Sequence, residues 1–331
     1  MKVLVIGGAG FIGSHVCDVL LERGYKVLCI DNLSSGSLDN IRHNLENKNF
    51  SFLKLDILER DLLFNAIDKV DSIIHLAAYK IPRYSSAMKT LLLNTQGTIN
   101  ILDLAKIKKA KVIIGSTSDV YGKNPNLPFK EDCDLILGPS TSRRWAYAVS
   151  KLFDEHLAYA YQDEYNLEIV ILRYFGTYGE RQYLNWWGGP QGVFLKNIFD
   201  GLPVEIHGDG NQTRCFIYIK EVAEATVRAV ERDKAIGKII NIGTEEEISI
   251  LDLAKLMHKL SEVTSELQIK YVPYSSFSKN YEDVKRRVPS IDKMKELLNY
   301  EPKINLEEGL SRLIKWYKDT YLLKGNKIHE I

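Results

Sequence analysis

Tyr147 and Lys151 stand four residues apart, a spacing that places a phenol and an ammonium on the same face of a helix and within reach of each other. A neighbouring cation stabilises the phenolate and lowers the pKa of the tyrosine. A tyrosine tuned in this way can take a proton from an alcohol or sugar hydroxyl as hydride leaves the same carbon. The same spacing is common in solvated helices, so its interpretation depends on a hydride acceptor and a pocket around it.

A loop near the N-terminus is suited to hold such an acceptor. Residues 7–13 read Gly-Gly-Ala-Gly-Phe-Ile-Gly and lie between a short apolar run and an amphipathic stretch. A pyrophosphate needs close backbone N–H donors and gains from a helix N-terminus, so Gly7, Gly10 and Gly13 are predicted to bind a dinucleotide. Asp31, about twenty residues further on, can accept hydrogen bonds from the adenosine ribose hydroxyls. Its charge would repel the extra phosphate of NADP, which favours NAD.

The pattern of apolar residues predicts the strands and helices that position these residues. Short apolar runs alternate with amphipathic stretches, as in a parallel sheet covered by helices on both faces. Strands are predicted at residues 2–6, 26–31, 52–55, 72–77, 112–116 and 167–172. Thr117 follows one of them, at the end that opens into the ligand crevice of such sheets.

The fold class follows from this pattern. We predict an α/β protein with a Rossmann-type doubly wound parallel sheet and a smaller mixed α/β C-terminal substrate lobe. Residues 1–175 form the predicted dinucleotide-binding domain, residues 176–323 form mainly the substrate lobe, and residues 324–331 are a tail. This division leaves room for the chain to cross between the lobes again.

Composition excludes several classes of protein. The net charge of +1 gives no reason to expect binding to nucleic acid or to a membrane surface. The apolar run before the glycine loop is too short for a signal peptide or a membrane span, so a cytoplasmic location is the expectation. Four cysteines without metal-ligand spacing predict neither a metal site nor a disulfide framework.

Further segments carry a resemblance to a known family. They are GGAGFIGSH at 7–15, DNLSSG at 31–36, Asp56-Ile57, HLAA at 75–78, NTQGT at 94–98, STSDVYG at 116–122, YAVSK at 147–151, LRYF at 172–175 and HGDGNQTR at 207–214. Together they are similar to the extended short-chain dehydrogenase/reductases that act on nucleotide sugars, the NAD-dependent epimerase/dehydratase group. The similarity covers nearly the whole chain.

The resemblance implies roles for individual residues. Thr117 would hydrogen-bond the reacting C4 hydroxyl, Tyr147 would be the base, and Lys151 would hold the nicotinamide ribose. The implied cofactor-binding residues are Gly7, Gly10, Phe11, Ile12, Gly13, Asp31, Asn32, Ser35, Gly36, Asp56, Ile57, Leu76, Ala77, Ala78, Lys80, Asn94, Tyr147, Lys151 and Tyr174. The implied substrate-binding residues are Lys80, Thr117, Arg214 and Arg287. A homodimer formed through the helix that carries Tyr147 and its neighbour is also expected.

The branches of the family share a first step, in which hydride leaves C4 of the sugar and a 4-keto sugar forms. A 4-epimerase then returns hydride to the other face, a decarboxylase loses C6 of a uronic acid, and a 4,6-dehydratase eliminates the C6 hydroxyl. Asp119 stands where the compared dehydratases and decarboxylases usually have glutamate, and is a candidate catalytic residue. Lys80 resembles a lysine of UDP-glucose 4-epimerases.

Other segments favour a different branch of the family. Residues 84–98, residues 144–147 and the region around Arg287 resemble UDP-glucuronate decarboxylases, which need a cation for the substrate carboxylate; Lys80, Arg83 and Arg144 are the candidates. The leading interpretation is a UDP-hexose 4-epimerase. UDP-glucuronate decarboxylase and sugar-nucleotide 4,6-dehydratase are the alternatives, and a non-catalytic NAD-sensing protein is a remote one.

The chain also departs from the family. Gly176 replaces the asparagine of the R-[YF]-F-N motif, which removes an amide expected to contact the sugar or phosphate, and Cys215 replaces an aspartate. The adjacent Trp186 and Trp187 are compatible either with a cover over the substrate or with a buried structural pair.

Overall fold

The computed structural model describes residues 1–80, 86–277, 281 and 283–322. Arg83 and Tyr84, named above for their similarity to decarboxylases, lie outside the described residues, as does the predicted tail at 324–331.

The large sheet has seven parallel strands in the order β10-β6-β5-β4-β1-β2-β3. Its strands are Lys2–Ile6 (β1), Lys26–Asp31 (β2), Phe50–Lys54 (β3), Ser72–His75 (β4), Lys111–Thr117 (β5), Ile169–Tyr174 (β6) and Lys238–Ile242 (β10). The central strands are buried almost throughout because helices cover both faces, which is why they read as continuous apolar runs. This sheet confirms the predicted Rossmann-type fold.

The helices pack on the two faces of this sheet and around the smaller sheets. They are Phe11–Glu22 (α1), Arg60–Ala66 (α2), Ala87–Lys108 (α3), Ala146–Tyr165 (α4), Pro190–Phe199 (α5), Ile219–Glu231 (α6), Ile250–Ser261 (α7), Asp292–Leu298 (α8) and Leu306–Tyr317 (α9). Among the described residues, no helix combines the length and apolar character that crossing a bilayer requires.

Five short strands form the two smaller sheets. They are Gly176–Tyr178 (β7), Val204–His207 (β8), Thr213–Tyr218 (β9), Glu247–Ser249 (β11) and Ile269–Val272 (β12). One sheet has the order β11-β9-β7 and the other pairs β12 with β8. Between β9 and β11 the chain returns to the edge of the large sheet as β10. The C-terminal half therefore contributes to the large sheet as well as to the smaller ones.

Strand ends differ from the predictions by a few residues. Strand β3 begins two residues earlier than predicted, because it is an edge strand that is only partly buried and its apolar signal is weak. Strand β6 extends to Tyr174, which pairs in register with Thr117 at the end of β5. The two neighbouring strands therefore bring Thr117 and Tyr174 to the same edge of the sheet.

Candidate active site

A cavity of about 570 Å³ lies at the carboxyl ends of β1, β2, β4, β5 and β6 and is closed on its other side by residues of the C-terminal half. Every residue predicted to bind cofactor or substrate lines it, with Lys151 as the exception. Asp119 and Arg144 also line it. The structure therefore gathers residues from positions 6 to 287 around one space.

The glycine loop forms one end of the cavity. Gly7 has a φ of +78°, and a Cβ there would lie 2.8 Å from the backbone nitrogen of Ala77; a Cβ at Gly13 would collide with the carbonyl oxygen of Gly7. Helix α1 begins directly after Gly10, has no acidic side chain in its first turn, and turns its N-terminus toward the cavity. Free amides and a positive helix end suit a pyrophosphate.

Asp31 ends β2 beside this loop and is nearly buried. Its Oδ2 accepts a hydrogen bond from Ala9 N at 3.0 Å and its Oδ1 accepts one from Leu33 N at 2.8 Å. Burial raises the pKa of Asp31, and these two N–H donors oppose that rise. Each carboxylate oxygen keeps a further lone pair, so the residue can bind its own loop and a ribose hydroxyl together.

The predicted adenine contacts, Asp56 and Ile57, follow β3 and line the same cavity. Asn32 Nδ2 donates to Asp56 Oδ2 at 3.0 Å, and Asp56 Oδ1 accepts from Leu58 N at 2.9 Å. The carbonyl of Ile57 accepts from Asn100 Nδ2 at 2.8 Å. These bonds order a pocket wall that can accept a planar base.

Asn94 lines the cavity, but its side-chain amide is hydrogen-bonded to other residues of the protein. Its Oδ1 accepts from Tyr79 N at 2.7 Å, and its Nδ2 donates to Tyr79 O at 3.1 Å and to Ser150 Oγ at 2.9 Å. Asn94 therefore ties the segment after β4 to helix α4, one residue before Lys151. From its place on α3, Asn94 therefore helps to position these two parts of the site.

Tyr147 and Lys151 share a face of α4, as predicted, but the surrounding charges differ from the prediction. Lys151 Nζ donates to Asp154 Oδ2 at 2.8 Å, and both side chains are almost completely buried. Burial, and then the negative charges of Asp119 and Asp154, raise the pKa of Tyr147 above its usual value. The expected lowering of this pKa by Lys151 is absent here, because Asp154 compensates the ammonium.

Thr117 is the last residue of β5, and Asp119 lies in the short turn that follows it, Ser118–Tyr121. Thr117 Oγ1 accepts a hydrogen bond from Asp119 N at 3.2 Å, which begins this turn. The hydroxyl keeps its proton to donate and faces the cavity with Tyr147. The two side chains can therefore contact one hydroxyl group of a bound sugar.

Asp119 is held by two guanidinium groups. Its Oδ1 accepts from Arg144 Nη2 at 2.9 Å and from Arg287 Nη2 at 2.8 Å. Burial works against the charge on Asp119, but Arg144 and Arg287 outweigh it and hold the pKa of this carboxyl well below its usual range. A second carboxylate, Asp283, pairs with Arg214 at 3.1 Å and lies 3.7 Å from Arg144. We call these five residues the arginine cluster.

The arginine cluster depends on segments that are distant in the sequence. Phe129 N donates to Val288 O at 2.8 Å, and Ser290 N donates to Phe129 O at 2.9 Å, which fixes the backbone on both sides of residue 289. Asn241 Nδ2 on β10 donates to the carbonyls of Phe129 and Ser290. The large sheet thereby determines where Arg287 enters the cavity.

Lys80 lies beside the arginine cluster and lines the cavity. Burial lowers the pKa of Lys80 to about 8, and the charge of Asp119 opposes that decrease. A lysine with this pKa is mostly charged at neutral pH and becomes neutral at moderately alkaline pH.

Comparison with known proteins identifies the family. A family model described as GDP-mannose 4,6 dehydratase matches residues 4–313. UDP-N-acetyl-alpha-D-glucosaminuronate decarboxylase of Bacillus cytotoxicus is 35% identical over 321 residues, which cover 96% of this chain and 98% of that protein. The chain is an extended short-chain dehydrogenase/reductase. It belongs to the NAD-dependent epimerase/dehydratase group of that family, whose members modify nucleotide sugars.

Solved structures of this family match the fold over almost its full length. UDP-glucuronic acid 4-epimerase of Bacillus cereus, in complex with UDP-glucuronic acid and NAD, is 34% identical with a TM-score of 0.86, covering 97% of this chain and 100% of that one. UDP-glucose 4-epimerase of Thermotoga maritima, with UDP-glucose, is 31% identical with a TM-score of 0.85, covering 97% and 99%.

The structure explains one departure from the usual family sequence. At Gly176, a Cβ would lie 2.6 Å from the ring of Phe216 and 2.8 Å from the carbonyl of Cys215, so the space of the usual asparagine is filled from β9. Gly176, Cys215 and Phe216 all line the cavity. An aromatic ring and a thiol therefore stand where this short-chain dehydrogenase/reductase would otherwise present polar groups.

The two tryptophans are half-exposed and line the cavity, and they do not form a buried pair. The ring of Trp186 stacks on His207 with centroids 4.0 Å apart, whereas that of Trp187 meets Tyr79 edge to face at 5.5 Å. Each of the two tryptophans therefore packs against a different aromatic side chain.

Sequence reasoning missed three residues of this site. Asp154 is three residues after Lys151 on the same helix, so helical periodicity could have identified it. Asp283 and Tyr183 lie in segments without periodic pattern, and nothing in their surroundings marks them in the sequence. Tyr183 lines the cavity and donates through its hydroxyl to Ser35 O at 2.5 Å.

Proposed function

We propose that this protein is a decarboxylase of a UDP-linked uronic acid that uses NAD as a recycled hydride acceptor at C4. The observation that carries the proposal is the arginine cluster with Lys80 at the end of the cavity opposite the glycine loop. The names of the B. cytotoxicus relative and of other proteins about one-third identical, the UDP-glucuronic acid decarboxylases, support the same reaction.

The side chains at this end of the cavity offer hydrogen-bond donors to a carboxylate as well as to a diphosphate. Among the described residues, three guanidiniums and one ammonium lie there with two carboxylates, Asp119 and Asp283, which leaves two positive charges, as many as the negative charges of a diphosphate. Each guanidinium has five N–H donors, so the bonds to Asp119 leave donors on Arg144 and Arg287 for an added anion. The C6 carboxylate of a uronic acid is such an anion, and a neutral hexose offers none.

The chemistry assigned to the chain's own residues is proton handling and orientation. Bound NAD supplies the acceptor and later the donor of hydride at C4. Tyr147, as phenolate, takes the proton of the C4 hydroxyl; the positive charge of the oxidised nicotinamide ring would favour that phenolate and oppose the raised pKa of Tyr147. Thr117 orients the hydroxyl, and Lys151 holds the nicotinamide ribose. The remaining cofactor assignments made from the sequence, from Gly7 to Tyr174, are part of this proposal.

Loss of C6 then follows from the substrate's own structure. Oxidation at C4 makes the C6 carboxylate a β-keto acid, whose C5–C6 bond breaks to release carbon dioxide with the electron pair remaining on C5. A proton adds at C5 and hydride returns to C4, with the Tyr147 proton restored to the C4 oxygen. The net change consumes one proton and releases carbon dioxide, and no further oxidant is needed.

The state of Asp119 argues against a dehydratase. Elimination of a C6 hydroxyl needs a base that removes the C5 proton. A carboxylate bonded to two guanidiniums with a strongly lowered pKa is a weak base. Decarboxylation makes no such demand, since the leaving carbon dioxide takes the place of the C5 proton.

A 4-epimerase is the second candidate and is the interpretation that the sequence alone favours. Lys80 supports the epimerase interpretation, because this lysine resembles that of UDP-glucose 4-epimerases and lines the cavity. The match to UDP-glucuronic acid 4-epimerase shows that a relative binding a uronic acid can retain C6. Both candidates share the C4 oxidation and differ in whether the C5–C6 bond breaks.

Proton NMR in heavy water separates the candidates. UDP-glucuronate, UDP-N-acetylglucosaminuronate and UDP-glucose are each incubated with the NAD-loaded protein. We expect a pentose product with deuterium at C5 from a uronate. A C4 epimer without deuterium at C5 would establish the epimerase, and a C6 methyl group from UDP-glucose would establish a dehydratase. NAD binding with no conversion of any substrate would favour the NAD-sensing alternative.

We also propose a homodimer through α3 and α4. Met88 and Leu92 on α3 and Val149 and Phe153 on α4 are apolar and exposed. By contrast Ala158, further along α4, is buried in the core of its own chain. Sedimentation analysis should give a dimer for the native chain and a monomer for Leu92→Glu.

A further inference from the structure

Residues 180–183 cross from the C-terminal half to the cofactor-binding elements, and we call them the strap. The carbonyl of Glu180 accepts a hydrogen bond from His15 Nε2 on α1 at 3.0 Å. The guanidinium of Arg181 pairs with Asp18, also on α1, at 2.8 Å. Tyr183 donates to Ser35 O at 2.5 Å, in the loop that follows Asp31. Three of the four strap residues are thus attached to parts of the dinucleotide site.

The strap's own backbone is specified tightly. Arg181 has a φ of +64°, a left-handed conformation that is unfavourable for a non-glycine residue and persists only where its surroundings impose it. A Cβ at Gly188 or at Gly192 would collide with the carbonyl oxygen of Tyr183. The two glycines therefore let the following turn and α5 pack directly on the strap.

The groups on α1 that receive the strap are also fixed. Asp18 Oδ1 accepts from His43 Nε2 at 2.8 Å and from Asn44 Nδ2 at 2.6 Å, which connects the strap to the segment beyond Ser35. Burial, and then the charge of Arg181, lower the pKa of His15 to about 4. His15 is therefore neutral at physiological pH, with its proton on Nε2 to donate to the strap.

The location of Tyr183 connects the strap with the cofactor. Its side chain lines the cavity together with Asp31, Ser34, Ser35 and Gly36, where the adenosine ribose is assigned. Burial, and then the charge of Asp31, raise the pKa of Tyr183 to about 12, so the hydroxyl stays protonated and donates to Ser35. The phenol lies over the ribose end of the site.

We propose that the strap retains the dinucleotide: NAD cannot leave the cavity until Tyr183 separates from Ser35 and Arg181 from Asp18. An enzyme that returns the hydride within each turnover has no need to exchange its cofactor, so retention fits the proposed function on which this inference partly rests. Tyr183 and Arg181 are positioning residues in this account and take no part in the chemistry at C4.

The test measures cofactor exchange in the holoenzyme. Protein loaded with radiolabelled NAD is mixed with excess unlabelled NAD, and the label retained on the protein is followed with time. Tyr183→Phe removes one hydroxyl, and we expect exchange to be about two- to tenfold faster, the range expected for one hydrogen bond. The matched control is Tyr159→Phe, which removes a hydroxyl bonded to Gly237 O away from the cavity. Its exchange rate should equal that of the native protein.

A second variant tests the ion pair and guards against misfolding of the first. Arg181→Gln should also accelerate exchange. In the native protein exchange should quicken with added salt, and in Arg181→Gln this salt dependence should largely vanish. If Tyr183→Phe and Arg181→Gln both exchange NAD at the native rate, the strap has no role in retention and the inference is wrong.

The outcomes separate this inference from the proposed function. Faster exchange in the variants, with no UDP-sugar converted by the native protein, would support the role of the strap in NAD retention and contradict the proposed decarboxylase activity. Normal conversion of a UDP-uronate, with unchanged exchange in both variants, would do the reverse.

Discussion

At the cofactor end of the cavity the groups suited to a ligand are the backbone amides at the start of α1, residues 11–13, and one carboxylate, Asp31. At the sugar end they are charged side chains: Arg144 precedes α4, Arg214 lies on β9, Arg287 precedes α8 and Lys80 follows β4. The first end is made by one strand–loop–helix unit and its neighbouring strand. The second is assembled from four segments that meet only in the folded chain. The comparison teaches that cofactor choice is a local property here, whereas the choice of reaction is a property of the assembled charges.

The largest effect is expected where the two ends meet, at Tyr147. Tyr147→Phe removes the proposed base, so kcat should fall by about 10²- to 10⁴-fold while NAD content stays native. Initial rates with UDP-glucuronate and the absorbance of released NAD measure both quantities. Tyr159→Phe serves as the control. A variant that retains more than a tenth of the native kcat would show that another group takes the proton.

A backbone change should damage the cofactor end alone. In Gly13→Ala the added methyl group would collide with the carbonyl oxygen of Gly7, and NAD affinity should fall by up to about 100-fold, the cost of overpacking a rigid site. Equilibrium titration with NAD measures the loss.

Gly24→Ala is the control for that variant. Gly24 also has a positive φ of +78°, but no atom lies within 4 Å of its would-be Cβ. Its substitution should lower the free energy of unfolding and leave NAD affinity unchanged. Equal losses of NAD affinity in the two variants would mean that the Gly13 effect is general destabilisation.

A side-chain change should damage the sugar end alone. Arg144→Gln removes one guanidinium from Asp119, and KM for UDP-glucuronate should rise about tenfold because a charge-assisted bond is lost. Binding of UDP-glucose, which lacks the carboxylate, should change far less. Isothermal titration with both nucleotides makes the comparison, and similar losses for the two would place Arg144 on the diphosphate instead of the uronate.

The smallest expected effect is a pH dependence. The pKa of Lys80 is lowered to about 8 by burial, so its ammonium is present below that pH and is lost as the pH rises through it. The KM for UDP-glucuronate should therefore rise a few-fold between about pH 7 and pH 9. In Lys80→Arg the charge persists and the KM should stay level across that range. A KM profile that is the same in both proteins would exclude Lys80 from substrate binding.

Much of the fold was predictable because its signals are local. Buried strands with helices on both sides must be continuously apolar, and the glycine loop must avoid side chains, so both patterns are visible in a single sequence. Strand β3 was placed less well, since an edge strand buries only part of its surface. The return of the chain to the sheet as β10 carries no local mark.

The relative placement of the proposed catalytic pair was predictable, and its electrostatics less so. Tyr147 and Lys151 are on one helix face, as their spacing requires. Burial, and then the charges of Asp119 and Asp154, raise the pKa of Tyr147. Spacing along a helix identifies which groups meet, but the sign of a pKa shift depends on all charges and on burial around them.

The sequence by itself determined the family, because its motifs are spread along nearly the whole chain. It also determined the dinucleotide loop and the preference for NAD, because these rest on one strand–loop–helix unit and the strand that follows it. Only the tertiary structure decided what surrounds Asp119, which ring replaces the asparagine at Gly176, and where Tyr183 closes over Ser35. Those contacts join residues more than 20 positions apart, and their energies depend on distances that the sheet and its covering helices set. Ion pairs and steric exclusion act through space, so a linear pattern does not encode them.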